Sequence, residues 1–409
     1  MSSHFSPKAL SRRHFLSLVG GATTVAGGGL FETIRTFAAE DPILAGRPLV
    51  RYPEKTDLIL LTSRPPQLET PMKYFEHAIT PNEAFFVRYH TFPPPTHIDL
   101  STWRLRLGGL VERPLELSLD DLKSEFSPTR LVAVNQCSGN SRGRSEPRVF
   151  GGQWGDGAMG NAEWTGVRLQ DLLRRAGVKT GAVEIAFRGF DEPAAPTIPH
   201  FAKSLTMNMV ADSPDILVAY EMNGQPLPTL NGFPARLVVP GWFSTYWVKH
   251  LAEITVLDHE FDGFWMQKAY RIPASPCGCV EPGGTAAHTV PINRMKVRSF
   301  IISPKEGARV PVGRPVVLKG IAFDAGYGIA SVEISTDEGN SWRRAALGQD
   351  LGPYSFREWT AHWVPTKRGN FSLLARAVNR VGESQPFEAT WNPSGYMRNV
   401  IERIQVTAV

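Results

Sequence analysis

One cysteine, Cys137, ends an apolar run and is followed by Ser138-Gly139-Asn140-Ser141-Arg142. A thiolate is a soft metal ligand and a guanidinium five residues on suits an oxyanion, so this spacing places a metal beside an anion site. A lone cysteine is most often a buried apolar side chain. The small-residue turn argues otherwise, because it exposes backbone N–H groups where a core strand would continue. Upstream, Arg88 and His90 alternate within Phe85-Phe86-Val87-Arg88-Tyr89-His90 and so share one face of a strand. Taken alone they describe a sheet-edge pair. Two guanidiniums aimed at one point repel unless an anion or anionic cofactor lies between them.

The elements that must hold these residues can be read in outline. Thr129–Gln136 reads as the strand that delivers the cysteine, with further strands over 85–90 and 103–107. Ser118 caps a short helix over 119–126, with Asp120 and Asp121 in its first turn. A second helix, Leu169–Ala176, stops at Gly177. Strands are expected at 183–187, 216–221 (closed by the turn Asn223-Gly224), 235–239 and Leu251–Leu257. Strands and short helices without a βαβ rhythm indicate an α+β fold. From about residue 290 helical periodicity ends, and short strands at 299–303, 315–323, 330–335, 342–346, 355–364 and 371–379 follow. That is the pattern of an all-β, immunoglobulin-like sandwich. The division expected is a leader over 1–38, a mixed domain over 39–289 and a sandwich over 290–409.

A chain of 409 residues exceeds one typical core, which agrees with two domains. The formal charge is +5; Lys8, Arg12, Arg13 and Arg35 against Glu32 supply +3 of it within residues 1–38, leaving +2. No run of lysine and arginine follows, which excludes nucleic-acid binding. Ser11-Arg12-Arg13-His14-Phe15-Leu16 and the weakly apolar stretch to Leu30 read as a twin-arginine signal for export of a folded protein to the periplasm. The stretch is too short and too rich in glycine to span a membrane, so the mature chain is expected to have no span. Cys277 and Cys279 lack the two-residue spacing of zinc or thioredoxin sites, and no C-x-x-C-H for covalent haem occurs. Three cysteines are no disulfide framework. The pair could close a strained redox disulfide, but a structural role is expected for both.

The run from Val134 to Arg142, with Arg88 and His90, resembles the molybdenum-ligand region of the sulfite oxidase family, most closely its bacterial periplasmic sulfite dehydrogenases. The similarity extends from about Phe85 to the C-terminus. It implies that Cys137 is the protein thiolate on molybdenum, within a molybdopterin cofactor. It implies a pocket for sulfite formed by Arg88, His90, Arg142, Tyr270 and Trp154, although Trp154 also suits an ordinary core aromatic. By the same resemblance Phe86, Val87, Arg88, Tyr89, His90, Asp191, Asn231, Arg236, Trp247, Val248 and Lys249 anchor the cofactor. The implied reaction is oxidation of sulfite to sulfate with a c-type cytochrome as electron acceptor, in a homodimer joined through 290–409. Two departures stand out: Asn231 occupies a position that is histidine in animal members, and the stretch 323–329, matched to a second-domain pocket arginine, contains none. Rival readings are a periplasmic methionine-sulfoxide reductase of the same cofactor family, which usually lacks the second domain, and a non-enzymatic secreted binding protein.

Overall fold

Thr129–Gln136 is a strand over the span its apolar and β-branched residues predict, and Cys137 directly follows its last residue. The computed structural model describes residues 35–36, 42–193 and 195–409. The twin-arginine motif and its apolar stretch lie outside the described residues. The cysteine strand pairs antiparallel with Met159–Arg168, Gln136 opposite Met159. That neighbour pairs in turn with Leu217–Met222, which also pairs with Arg236–Val238. One sheet therefore carries both Cys137 and Arg236. Its strands approach closely at Gly166, where a Cβ would meet the Val218 carbonyl oxygen at 2.2 Å.

A second sheet runs Ala202–Thr206, Glu184–Gly189, Leu251–Leu257, Leu105–Gly109, Leu115–Leu117. Helix Leu169–Ala176 has the expected bounds and ends on Gly177 at φ 70°. Helix Leu119–Ser124 is shorter than expected but is held by the capping box of Ser118 and Asp121. Of the expected strand at 85–90, only Val87–Arg88 pairs, against Gln67 and Leu68. With four short α-helices among the described residues, the fold is mostly β and has less helix than the α+β expectation suggested.

Beyond residue 290 the chain forms two sheets. One runs Arg298–Ser303, Val316–Phe323, Arg357–Trp363, Ala346–Leu347; the other runs Ala308–Val310, Arg403–Ala408, Gly369–Asn379, Ile329–Ser335, Arg343–Arg344. Leu318, Val332, Ile334, Trp359, Leu373 and Val406 form their common core. Phe300, Ile302, Ile321, Phe323 and Phe356 instead join the core of the preceding residues. This junction reaches the metal-ligand strand, since Val134 N–H donates to the Tyr354 carbonyl at 2.9 Å. Cys277 and Cys279 are joined in a disulfide, so the expectation of a merely structural pair resolves into a bridge, while Cys137 is free and buried. No helix among the described residues is long and apolar enough to cross a membrane.

Candidate active site

The turn after the strand is fixed by its own backbone. Cys137 N–H donates to Ala158 O at 2.9 Å, Asn140 N–H to Cys137 O at 2.9 Å, and Arg142 N–H to Gly139 O at 3.0 Å. Glycine is required at 139, because a Cβ there would lie 2.7 Å from the Arg142 guanidinium carbon. Ser141 adopts φ 66° and donates its hydroxyl to Asp156. Burial raises the Asp156 carboxyl, but the charge and hydrogen bonds of Arg144, with Arg298 nearby, outweigh it and hold the group below the usual carboxylate range. Arg298 itself, 1% exposed, donates to Ser141 Oγ at 3.1 Å and to Glu402 at 2.9 Å. The ligand turn is thus clamped by residues from beyond 290.

Cys137 lines two neighbouring cavities. Arg88, Cys137, Ser138 and Tyr270 line both. The inner one is bounded further by Phe86, Tyr89, His90, Asn135, Asp191, Asn231, Arg236, Trp247 and Lys249. The outer one is bounded by Arg142, Phe150, Ser394 and Tyr396.

The inner cavity gathers the cationic side chains of Arg88, Arg236 and Lys249. Arg236 donates to Asn231 O at 2.8 Å and Trp247 O at 3.1 Å, between the rings of Trp164 and Trp247. Lys249 Nζ donates to Arg88 O at 3.0 Å and lies over the Tyr89 ring. Asn231 donates to Phe86 O and accepts from Lys55, while Asp191 accepts from Thr91. Burial, then the charge of Arg236, pushes the Lys249 ammonium well below its usual range, and burial lowers Arg236 to about 9. Buried polar atoms are normally paired, yet Asn135 Nδ2, Ser138 Oγ, Thr245 Oγ1 and Arg236 Nε, all on residues lining this cavity, have no protein partner. Such a lining fits an anionic ligand rich in acceptors, as a pterin phosphate is. Among the described residues no three His, Cys, Asp or Glu side chains converge. A metal on Cys137 would therefore need further ligands from outside these side chains, as a dithiolene could supply.

In the outer cavity Arg142, 8% exposed, donates through Nε to Ser394 O at 2.8 Å and through Nη1 to Gly152 O at 3.2 Å, with Tyr396 under its guanidinium at 4.9 Å. Tyr396 stacks on Tyr270 at 5.6 Å, and the Tyr270 hydroxyl meets His90 Nε2. His90 is sandwiched against Phe201 and Trp265. Burial, then Arg88, Lys249 and Lys203, keeps its imidazole neutral, and burial raises the Tyr270 phenol above its ordinary range.

Of the residues singled out from sequence, most converge here. Trp154 lines neither of these cavities: it is fully buried with its ring edge-on to Phe86. Val87 packs with Leu58, Leu68 and Leu230, and Val248 belongs to the main core; both approach the cavity only through neighbouring residues. The stretch 323–329 borders neither cavity. The second region reaches the mouth through Pro393, Ser394 and Tyr396 instead. Sequence reasoning also missed Asn135, Ser138 and Thr245. It missed Lys203 as well, whose buried ammonium donates to Trp265 O at 2.7 Å and lies over Tyr246 and Tyr270.

Residues 91–265 match the family described as oxidoreductase molybdopterin binding domain, and residues 289–409 match the Mo-co oxidoreductase dimerisation domain. The chain is 34% identical over 382 residues to sulfite oxidase of Gallus gallus, covering 89% of this chain and 80% of that protein. It is 33% identical over 387 residues to mitochondrial sulfite oxidase of Drosophila melanogaster, covering 89% of this chain but only 66% of the relative, just under two thirds of its length. Among solved structures, the sulfane dehydrogenase SoxCD from Paracoccus pantotrophus superposes with TM-score 0.69 at 25% identity, covering 95% of this chain and 93% of that one.

Proposed function

The chain belongs to the sulfite oxidase family and takes its molybdopterin cofactor with molybdenum, and on that premise we propose that it oxidises sulfite to sulfate in the periplasm, passing electrons singly to a c-type cytochrome. The observation that carries this reading is the position of Cys137 between an inner cavity with unpartnered donors and an outer one lined by arginines. Arg236, Lys249, Asn231, Asn135 and Thr245 would hold the pterin and its phosphate, and Cys137 the metal. Bound there, molybdenum would supply the two-electron oxidation of the substrate.

The chain's own share is positioning. Arg88 and Arg142 flank the thiolate and would bind the sulfite oxygens, directing the sulfur lone pair inward. Tyr270 would donate its hydroxyl to the substrate while accepting from Nε2–H of neutral His90, which orients the phenol. Tyr396 and Ser394 form the outer wall and limit water at the site. Residues 1–38 would serve as the twin-arginine leader, 39–289 as the molybdopterin domain, and 290–409 as an immunoglobulin-like sandwich through which two chains pair.

The test is metal analysis of the purified protein followed by sulfite turnover with cytochrome c. Molybdenum near one per chain with cytochrome reduction supports the proposal. A molybdenum-replete protein that leaves sulfite unchanged overturns it.

A further inference from the structure

The bridge between Cys277 and Cys279 is not explained by the site described above. It closes a loop with a single residue between the cysteines. Cross-linking so short a loop removes little entropy from the unfolded chain, so stabilisation is a weak reason for it. Cys277 is exposed while Cys279 is half-buried, and exposed bridges are the labile ones. Ser275 Oγ lies 3.4 Å from Cys277 Sγ and accepts from Cys279 N–H, so a hydroxyl stands beside the pair.

The next residue leads to the pocket. Val280 N–H donates to the Trp391 carbonyl at 2.9 Å. The Trp391 indole donates to Pro147 O at 2.8 Å. From Trp391 the chain runs through Asn392, whose side-chain oxygen accepts from Ser394 and Tyr396, to Met397, whose N–H donates to Ser138 O at 3.0 Å. Residues 391–397 are thus a strap over the outer cavity, tied at one end beside the disulfide and at the other beside the metal ligand.

We infer that Cys277–Cys279 is a thiol-exchangeable redox site, open to small dithiols, whose reduction loosens the strap that roofs the outer cavity. The exchange is balanced. A thiolate of the dithiol attacks Cys277 Sγ, the Cys277–Cys279 bond breaks, and Cys279 leaves as a thiolate that takes up a proton. The second thiolate of the reagent then attacks its own sulfur in the mixed disulfide. Cys277 is released, and the reagent departs as a cyclic disulfide, two electrons having passed to the protein. The inference does not depend on which substrate the outer cavity takes.

The experiment uses the cofactor-loaded protein treated with dithiothreitol, then alkylated and digested. Labels at 277 and 279 without label at Cys137 are expected while the fold is intact. Amide hydrogen exchange over 391–397 is expected to rise several-fold in the same sample. The double variant Cys277→Ser, Cys279→Ser should show the same faster exchange without reductant, which separates the bridge from any effect of the reagent on the cofactor. Labelling only after global unfolding would overturn the inference. So would an opened bridge, or a folded double variant, with unchanged exchange over 391–397. Both readouts are independent of sulfite turnover, so their failure is distinct from failure of the proposed reaction.

Discussion

Replacing Arg142 by Met tests the outer cavity most directly, because its guanidinium joins two tasks. It donates to the carbonyls of Ser394 and Gly152, and its remaining N–H groups are left for the cavity it lines. A charge-assisted hydrogen bond to a bound oxyanion contributes about 1.5–3 kcal/mol, or roughly ten- to a hundredfold in kcat/KM. The two carbonyl bonds contribute about 1 kcal/mol each to folding, so unfolding free energy should fall by about 2 kcal/mol. Arg142→Lys keeps the charge but cannot reproduce the fork that bridges both carbonyls. It should recover part of the kcat/KM and little of the stability. Steady-state sulfite kinetics normalised to molybdenum, with denaturant unfolding of the same samples, separates the two losses. A molybdenum-replete Arg142→Met protein with kcat/KM within about threefold of the parent would refute the placement of sulfite beside this residue.

Three other outcomes follow from the structure. Cys137→Ser should keep its fold and lose both molybdenum and turnover, because a hard hydroxyl replaces a soft ligand; parental turnover in that variant would remove Cys137 from the metal. Arg298→Met should lower unfolding free energy by about 1–3 kcal/mol, since its bonds to Ser141 Oγ and Glu402 are lost while Arg144 and Arg398 still pair with Asp156 and Glu402; denaturant unfolding reads this, and a loss under about 0.5 kcal/mol contradicts the clamp. The cofactor-free protein should become more stable between about pH 7 and pH 10: burial lowers Lys55 and Lys203 each to about 7 in the fold, so in that window the unfolded chain binds more protons and stability rises with pH. Thermal scans across the window check the sign, and a falling melting temperature over it would be the wrong one.

How much of this could be read from sequence depended on whether a signal was local. Thr129–Gln136, Leu169–Ala176 and Leu251–Leu257 carry their own pattern and caps, and their bounds are as expected. Met159–Arg168, the longest strand before residue 290, was missed. It is buried at nearly every position, so no alternation shows, and Gly160 and Gly166 read as breakers. In the fold those glycines admit the Phe85 ring and the Val218 carbonyl. Cys137, Arg88 and Arg142 could be singled out because a lone cysteine before a small-residue turn with arginines nearby is an uncommon pattern, and the family resemblance then supplied their expected roles. Tyr396 and Ser394 were not, because only the docking of two sheets brings them to Arg142. Trp154 was expected in the pocket wall by resemblance, with a core aromatic as the alternative, and it packs edge-on to Phe86.

The clamp between Arg142 and Ser394 joins residues separated by 252 positions. During synthesis at roughly 5–20 residues per second, the second partner emerges about 12–50 seconds after the first. Throughout that interval a nascent chain has the thiolate and its turn but neither the strap nor the Arg298 anchor. The outer cavity therefore has no roof until translation has nearly finished the second sheet pair. The side that lines the outer cavity is thus the last to be walled.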